Sequence, residues 1–110
     1  MEGDFRSLDE FWPFYVSQHL NPTTRRLHFT GTTIGLLCLA ASLIWNAAYW
    51  VPAGLVLSYG LAWIGHFFFE HNTPATFEYP LYSFRADFRM YRLMLLGRMD
   101  AEVLRLVRRR

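Results

Sequence analysis

The stretch that decides the fold is the 43-residue run from Leu27 to Phe69, LHFTGTTIGLLCLAASLIWNAAYWVPAGLVLSYGLAWIGHFFF, which contains no Asp, Glu, Lys or Arg. That length is enough for two membrane-spanning helices of about 20 residues each. Its middle reads WNAAYWVP at positions 45–52, where aromatic residues suited to a membrane interface flank a turn-forming Asn and precede a Pro suited to a helix's first turn. The run therefore predicts an antiparallel helical hairpin whose two ends meet at one membrane face.

The charged residues lie on either side of this run. All 11 basic residues are arginines, and none of them falls in the central turn. Because positive residues accumulate on the cytoplasmic side of membrane proteins, this asymmetry predicts that both termini are cytoplasmic. The basic ends favour anionic lipid headgroups as partners, and no nucleic-acid-binding motif accompanies them.

The flanking segments predict two further helices. The sequence SLDE at positions 7–10 has the form of a capping box, and it opens an aromatic amphipathic helix expected over residues 8–20. In residues 82–110 apolar residues recur at spacings of three and four with arginines between them, which predicts a basic amphipathic helix. With spans expected at residues 25–45 and 51–70, the prediction is a single all-α membrane domain over residues 1–110. It is a transmembrane hairpin flanked by interfacial helices.

The histidines all fall near the ends of the charge-free run, and they are His19, His28, His66 and His71. In the expected hairpin, His28 and His66 lie at about the same depth, roughly 25 Å from the turn at 1.5 Å per residue. Small residues such as Gly31 and Gly35 share the face of His28 and direct it towards the second helix. Because ionisable groups at membrane depth usually mark function, this placement indicates that the two histidines form part of a metal site. For any one histidine alone, a bond to water or to a lipid headgroup remains the alternative.

A carboxylate accompanies the histidines. Glu70 lies four residues after His66 and so shares its face in a regular helix, either as a metal ligand or as a partner that orients the imidazole. Its alternative role is to cap the helix or to pair with an arginine. Three imidazoles and one carboxylate, with no cysteine in reach, suit Zn, Fe or Mn. The spacing alone does not separate iron from zinc.

Four short segments resemble one family of small membrane proteins. They are FYVSQHLNP at positions 14–22, RLHF at 26–29, WIGHFFFE at 63–70 and NTPA at 72–75. The resemblance covers about residues 10–94. The fungal members of the family are 2-hydroxy fatty acid dioxygenases of the endoplasmic reticulum that act in phytosphingosine breakdown. The likeness is to the shorter, bacterial members, which implies an inner-membrane protein.

The resemblance implies an enzyme that uses Fe(2+) and O2 to shorten a 2-hydroxy fatty acid by one carbon, with iron ligands His19, His28 and His66. It implies Glu70 as a catalytic residue, either a fourth ligand or a partner of the site. His71 is left out of the ligand set. Arg25 and Arg26 are the residues expected to hold the substrate carboxylate by charge-assisted hydrogen bonds, unless they only set the membrane topology.

Two other classes of function stay open. One is a small membrane scaffold or subunit whose arginine-rich C-terminal helix binds anionic lipid or a partner protein. The other is a zinc-dependent membrane hydrolase. Metal content separates the three, since iron favours the dioxygenase, zinc favours the hydrolase and no stoichiometric metal favours the scaffold. The sequence also leaves open whether the chain forms a homo-oligomer.

Overall fold

The computed structural model describes residues 2–108 and confirms the all-α class. Within these residues there is no β-strand, and the five α-helices are α1 (Leu8–Ser17), α2 (Pro22–Trp45), α3 (Trp50–Ile64), α4 (Pro80–Leu95) and α5 (Met99–Arg108). A π-helical segment, Gly65–Glu70, continues α3 without a break. Single 3-10 turns lie at Glu2–Asp4 and Ala75–Phe77.

Helices α2 and α3 form the hairpin that the charge-free run predicts. Helix α2 ends where Asn46 adopts a left-handed conformation with φ of 48° and its backbone N–H donates to the carbonyl of Ser42. The two helical stretches, Pro22–Trp45 and Trp50–Glu70, are both long and apolar enough to cross a membrane. In the most apolar 18 residues of each helical stretch, only 22% are buried inside the protein. Most of their apolar surface is therefore on the outside of the fold.

Small residues allow α2 and α3 to pack closely. A Cβ atom added to Gly31 would lie 2.7 Å from the carbonyl oxygen of Ser58, and one added to Gly54 would lie 2.8 Å from Cβ of Cys38. Such distances leave no room for a side chain at either glycine. The face of α2 that carries Gly31 and Gly35, predicted to point towards the second helix, is thus the face that meets α3.

We expect Gly31→Ala to lower the free energy of unfolding by about 1–3 kcal/mol, the usual cost of overpacking. The new methyl group would press on the backbone of Ser58, which moves only if α3 moves with it. Gly60→Ala is the matched control, because nothing lies within 4 Å of a Cβ at that position of the same hairpin. Thermal unfolding of both variants in detergent measures the effect. Equal transition temperatures for the two variants would contradict this account of the packing.

The remaining helices, α1, α4 and α5, pack against one another. Ser7 caps α1 through a 3.1 Å hydrogen bond from the Glu10 backbone N–H to its hydroxyl, as the capping box predicts. The aromatic face of α1 is then buried against α4 and α5, and Phe11 and Tyr15 are fully buried there. The buried members of this cluster are Phe11, Trp12, Tyr15, Val16, Ala75, Tyr79, Ala86, Met90 and Met99.

Several helix boundaries differ from the sequence prediction, and α2 and α4 begin at Pro22 and Pro80, a few residues before the expected positions 25 and 82. Helix α1 ends at Ser17 instead of Leu20, because Asn21 caps the next helix and Pro22 begins it. The basic helix expected over residues 82–110 is divided in two, because Gly97 adopts a left-handed φ of 69° and ends α4. Residues 109 and 110, at the end of that expected helix, lie outside the described residues.

Candidate metal centre

Three separate elements bring three histidines together at the open end of the hairpin. His19 follows α1, His28 lies in the second turn of α2, and His66 belongs to the π-helical segment. The Nε2 atom of His28 is 3.1 Å from Nε2 of His19 and 3.1 Å from Nε2 of His66. One nitrogen from each ring lies within 4.8 Å of the other two. All three side chains are buried.

In His19 and His66 the outer ring nitrogen, Nδ1, which points away from the other two rings, is held by an oxygen acceptor. Nδ1 of His19 lies 2.7 Å from the backbone carbonyl oxygen of Tyr15. Nδ1 of His66 lies 2.7 Å from Oδ1 of Asn72, whose amide nitrogen donates to the carbonyl of Gln18 at 3.2 Å. Because these oxygens only accept, each Nδ1 carries the proton. The inward Nε2 atoms of both rings therefore have free lone pairs.

His28 is backed by a carboxylate from a distant helix. Its Nδ1 atom is 3.6 Å from Oδ1 of Asp87 in α4, and the hydroxyl of Tyr15 donates to the same oxygen. Burial raises the pKa of the Asp87 carboxyl to about 7, although the hydrogen bond from Tyr15 acts in the opposite direction. A carboxylate behind a histidine ring is the usual way to fix the orientation of a metal-binding imidazole.

The sequence analysis missed Asp87. It is the only acidic residue of α4, and it lies among arginines that suggest a solvated, basic helix. The available signal was its register: Asp87 is four residues after Ser83 and three before Met90, both of which are buried. An acidic residue on the buried side of a basic helix has to find a partner in the core.

The inward nitrogens make the cluster suited to a cation. Nε2 of His19 and Nε2 of His66 both direct lone pairs at Nε2 of His28, which lies 3.1 Å from each and can donate at most one hydrogen, to one of them. Burial, with His28 and His66 nearby, lowers the pKa of His19 well below its usual range, so that ring stays neutral. Neutral imidazole is the form that binds a metal ion. A cation among the three nitrogens would bind a lone pair from each ring, whereas a single hydrogen on His28 satisfies only one of its two neighbours.

The two arginines predicted to hold a substrate carboxylate have different surroundings. Arg25 is buried, and its guanidinium donates to the carbonyls of His19 and Leu20 at 2.7 and 2.9 Å and pairs with Asp100 at 3.1 Å. It therefore fastens the segment that carries His19. Arg26 is exposed, and its side chain makes no hydrogen bond or ion pair with any residue in the range 2–108.

Glu70 lies outside the group of three histidines. Its Oε1 atom accepts a hydrogen bond from the backbone N–H of Asn21 at 2.5 Å. The expected shared face with His66 assumed a regular α-helix, whereas the π-helical segment has a wider turn and rotates Glu70 to a different direction. His71, left out of the predicted ligand set, is exposed and ends the segment with a left-handed φ of 58°.

An all-α hairpin with three buried, converging imidazoles defines a small helical protein with a candidate metal centre. A comparison with protein families matches residues 5–99 to the family described as 2-hydroxy-palmitic acid dioxygenase Mpo1-like. The chain belongs to this family, and the resemblance stated from the four sequence segments is confirmed. No curated protein sequence and no solved structure matches the chain.

Proposed function

We propose that the protein is a membrane-bound, iron-dependent dioxygenase that shortens 2-hydroxy fatty acids by one carbon. The observation that carries the proposal is the convergence of His19, His28 and His66 within a chain of this family. The family description supports a 2-hydroxy fatty acid as the substrate and a dioxygenase as the class of enzyme.

The histidine cluster fits an iron ion. Three neutral imidazole nitrogens leave further coordination positions open, as in non-haem iron oxygenases, although the same nitrogen set also accepts zinc. When bound, iron would supply oxygen chemistry and a Lewis acid for the carboxylate and hydroxyl of a 2-hydroxy acid. The cleaved bond joins the carboxyl carbon to C2, and C2 is oxidised to the new carboxyl carbon. With O2 as the oxidant and CO2 and water as the other products, the reaction balances without an external reductant.

The residues around the cluster act by holding the three rings. The carbonyl of Tyr15 orients His19, Asn72 orients His66, and Asp87 lies behind His28. Each of these partners fixes the ring so that Nε2 points inward. The geometry of the site therefore depends on residues that themselves do not reach the metal position.

We assign Arg25 and Glu70 to positioning the short segment between α1 and α2. Arg25 donates to two carbonyls of this segment, and Glu70 accepts from the N–H of Asn21 at its end. This role differs from the substrate contact expected for Arg25 and from the place as metal ligand or imidazole partner expected for Glu70. Arg26 is the arginine that remains exposed, and we propose that it meets the substrate carboxylate or an anionic headgroup at the membrane surface.

We further propose that α2 and α3 cross a membrane, with the histidine cluster at the cytoplasmic face and both termini on that side. Large apolar side chains on the outside of the hairpin support insertion, since Leu43, Ile44 and Val56 are 77%, 72% and 71% exposed. Lipid would cover this surface. The arginines lie at the opposite end from the turn, which supports the orientation. Such a site suits a substrate with a polar head and a lipid tail.

The test is anaerobic loading of the detergent-purified protein with Fe(II), followed by O2 and 2-hydroxypalmitic acid. We expect a fatty acid one carbon shorter, identified by mass, and no product from the protein loaded with Zn(II). Failure of the iron-loaded protein to shorten 2-hydroxy acids of several chain lengths would contradict the proposal. Equal turnover with zinc would favour the membrane hydrolase, and a protein that binds no stoichiometric metal would favour the scaffold.

A further inference from the structure

A groove runs along the hairpin beside the histidine cluster. It lies between α2, α3 and α4, and its volume is about 190 Å³. Thr32 and Leu39 of α2, Val51 and Tyr59 of α3, and Asp87 and Phe88 of α4 are among the residues that line it. The groove therefore lies on the apolar body of the hairpin and not among the arginines of α4 and α5.

The two ends of the groove differ in polarity. Thr32, Tyr59 and Asp87 lie at the end nearest the histidines, whereas Leu39 and Val51 lie at the end nearest the hairpin turn. From Thr32 to Leu39 the helix rises by about 10 Å. An elongated molecule with one polar end and one apolar end matches this gradient.

The polar end of the groove adjoins the surroundings of the metal centre. Tyr59 and Asp87 also line a second cavity of about 10 Å³, whose walls include His28 and His66. A volume of that size holds about one water molecule. Trp63 lines this cavity too, and its indole N–H is buried without a hydrogen-bond partner among residues 2–108. Tyr59 and Asp87 thus separate the polar end of the groove from a cavity that the histidines and an unpaired donor line.

We propose that this groove binds the acyl tail of the substrate, with the polar head towards Tyr59 and the terminal methyl group towards Leu39 and Val51. The identity of the head as a 2-hydroxy acid rests on the proposed function, but occupancy of the groove by an acyl chain does not. In this arrangement the residues at the turn end contact only the distal part of a long chain. Leu39 and Val51 are then the residues that set the preference for chain length.

Photo-crosslinking tests the position of the tail without requiring turnover. The probe is a long-chain 2-hydroxy fatty acid with a diazirine near its terminal methyl group, added to the metal-free protein in lipid nanodiscs. We expect mass spectrometry to locate the crosslinks at Leu39, Val51 and the neighbouring Leu55, with displacement by unlabelled 2-hydroxypalmitic acid. Labels spread equally over the outer residues Leu43 and Val56 would overturn the proposal.

A second probe distinguishes the substrate tail from a bilayer lipid. A phospholipid with the same terminal diazirine should label the groove weakly, and its labelling should fall further when unlabelled 2-hydroxypalmitic acid is added. If the phospholipid labels the groove as strongly and the fatty acid does not displace it, the groove is a lipid site and the proposal fails. Specific labelling by the fatty acid together with no turnover would leave the groove intact and refute only the proposed activity.

A matched pair of variants tests the preference for chain length. We expect Leu39→Trp to weaken binding of a long-chain 2-hydroxy acid about tenfold, because a few methylene groups at the end of the acyl chain no longer fit in the groove. Binding of a short-chain acid should be unaffected. Leu37→Trp is the control, since Leu37 lies on the same helix, is 64% exposed and does not line the groove. Binding is measured with the metal-free protein by competition against the photoprobe. An equal loss for long and short chains, or the same loss in the control, would overturn the proposal.

Discussion

Alanine in place of His28 is expected to abolish stoichiometric metal binding and, with it, turnover. The Nε2 atom of His28 lies 3.1 Å from each of the other two inward nitrogens, so its loss removes the central member of the cluster. Removing an outer partner of a ligand typically costs about 10–100-fold in metal affinity, and we expect loss of a ligand to cost more than that. Elemental analysis of the purified variant, together with a metal titration, measures the effect.

His71→Ala is the matched control for this experiment. It removes an imidazole five residues from His66, but His71 is exposed and lies outside the cluster. The metal content of this variant should equal that of the unmodified protein. Retention of full metal content by the His28 variant, or its loss in the His71 variant, would refute the assignment of the three ligands.

Asp87→Asn is expected to lower metal affinity about 10–100-fold while leaving the stoichiometry at saturating metal unchanged. The amide keeps the size of the side chain and still accepts a hydrogen bond from Tyr15. The substitution removes the carboxylate that faces Nδ1 of His28 at 3.6 Å. That negative charge makes the His28 ring a better metal ligand, so its loss weakens binding. Metal titration at fixed pH gives the affinity, and circular dichroism establishes that the variant remains folded.

The control for the Asp87 variant is Asp9→Asn, which makes the same chemical change at the protein surface. Asp9 pairs with Arg89 at 2.8 Å, and its side chain is 86% exposed. Exposed ion pairs contribute little to the free energy of unfolding, so neither the stability nor the metal affinity of this variant should change measurably. An equal effect of the two substitutions would mean that Asp87 acts through overall charge and not through His28.

The hairpin and the approach of His28 to His66 were predictable because both follow from patterns along one or two helices, whereas His19 was assigned to the ligand set only by the family resemblance. The charge-free run fixed the number and length of the apolar helices, and helix rise alone placed His28 and His66 at one depth. The small residues then identified the contacting faces, as the close approach of Gly31 to Ser58 demonstrates. Each of these inferences needs only local geometry and the chain reversal at the turn.

The surroundings of the cluster were less predictable because they depend on tertiary packing. Asp87 approaches His28 only once α4 packs against the hairpin, and nothing local connects two residues so far apart in the chain. Glu70 was assigned by the periodicity of an α-helix, which the π-helical segment does not follow. Arg25 looked like a topology signal, yet tertiary contacts turn its guanidinium to the carbonyls after α1.

The π-helical segment also separates two demands that a single regular helix would force together. The close contact of α2 with α3 fixes the rotation of α3 about its axis, and in an uninterrupted α-helix that rotation would dictate the direction of every later side chain. The wider turn after Ile64 changes the angular register of the residues that follow, so that His66 stays with the other imidazoles while Glu70 turns to the backbone of Asn21. One six-residue segment therefore supplies a ring to the histidine cluster and a carboxylate to the chain between α1 and α2, two tasks that side chains four residues apart on a regular helix would face in one direction.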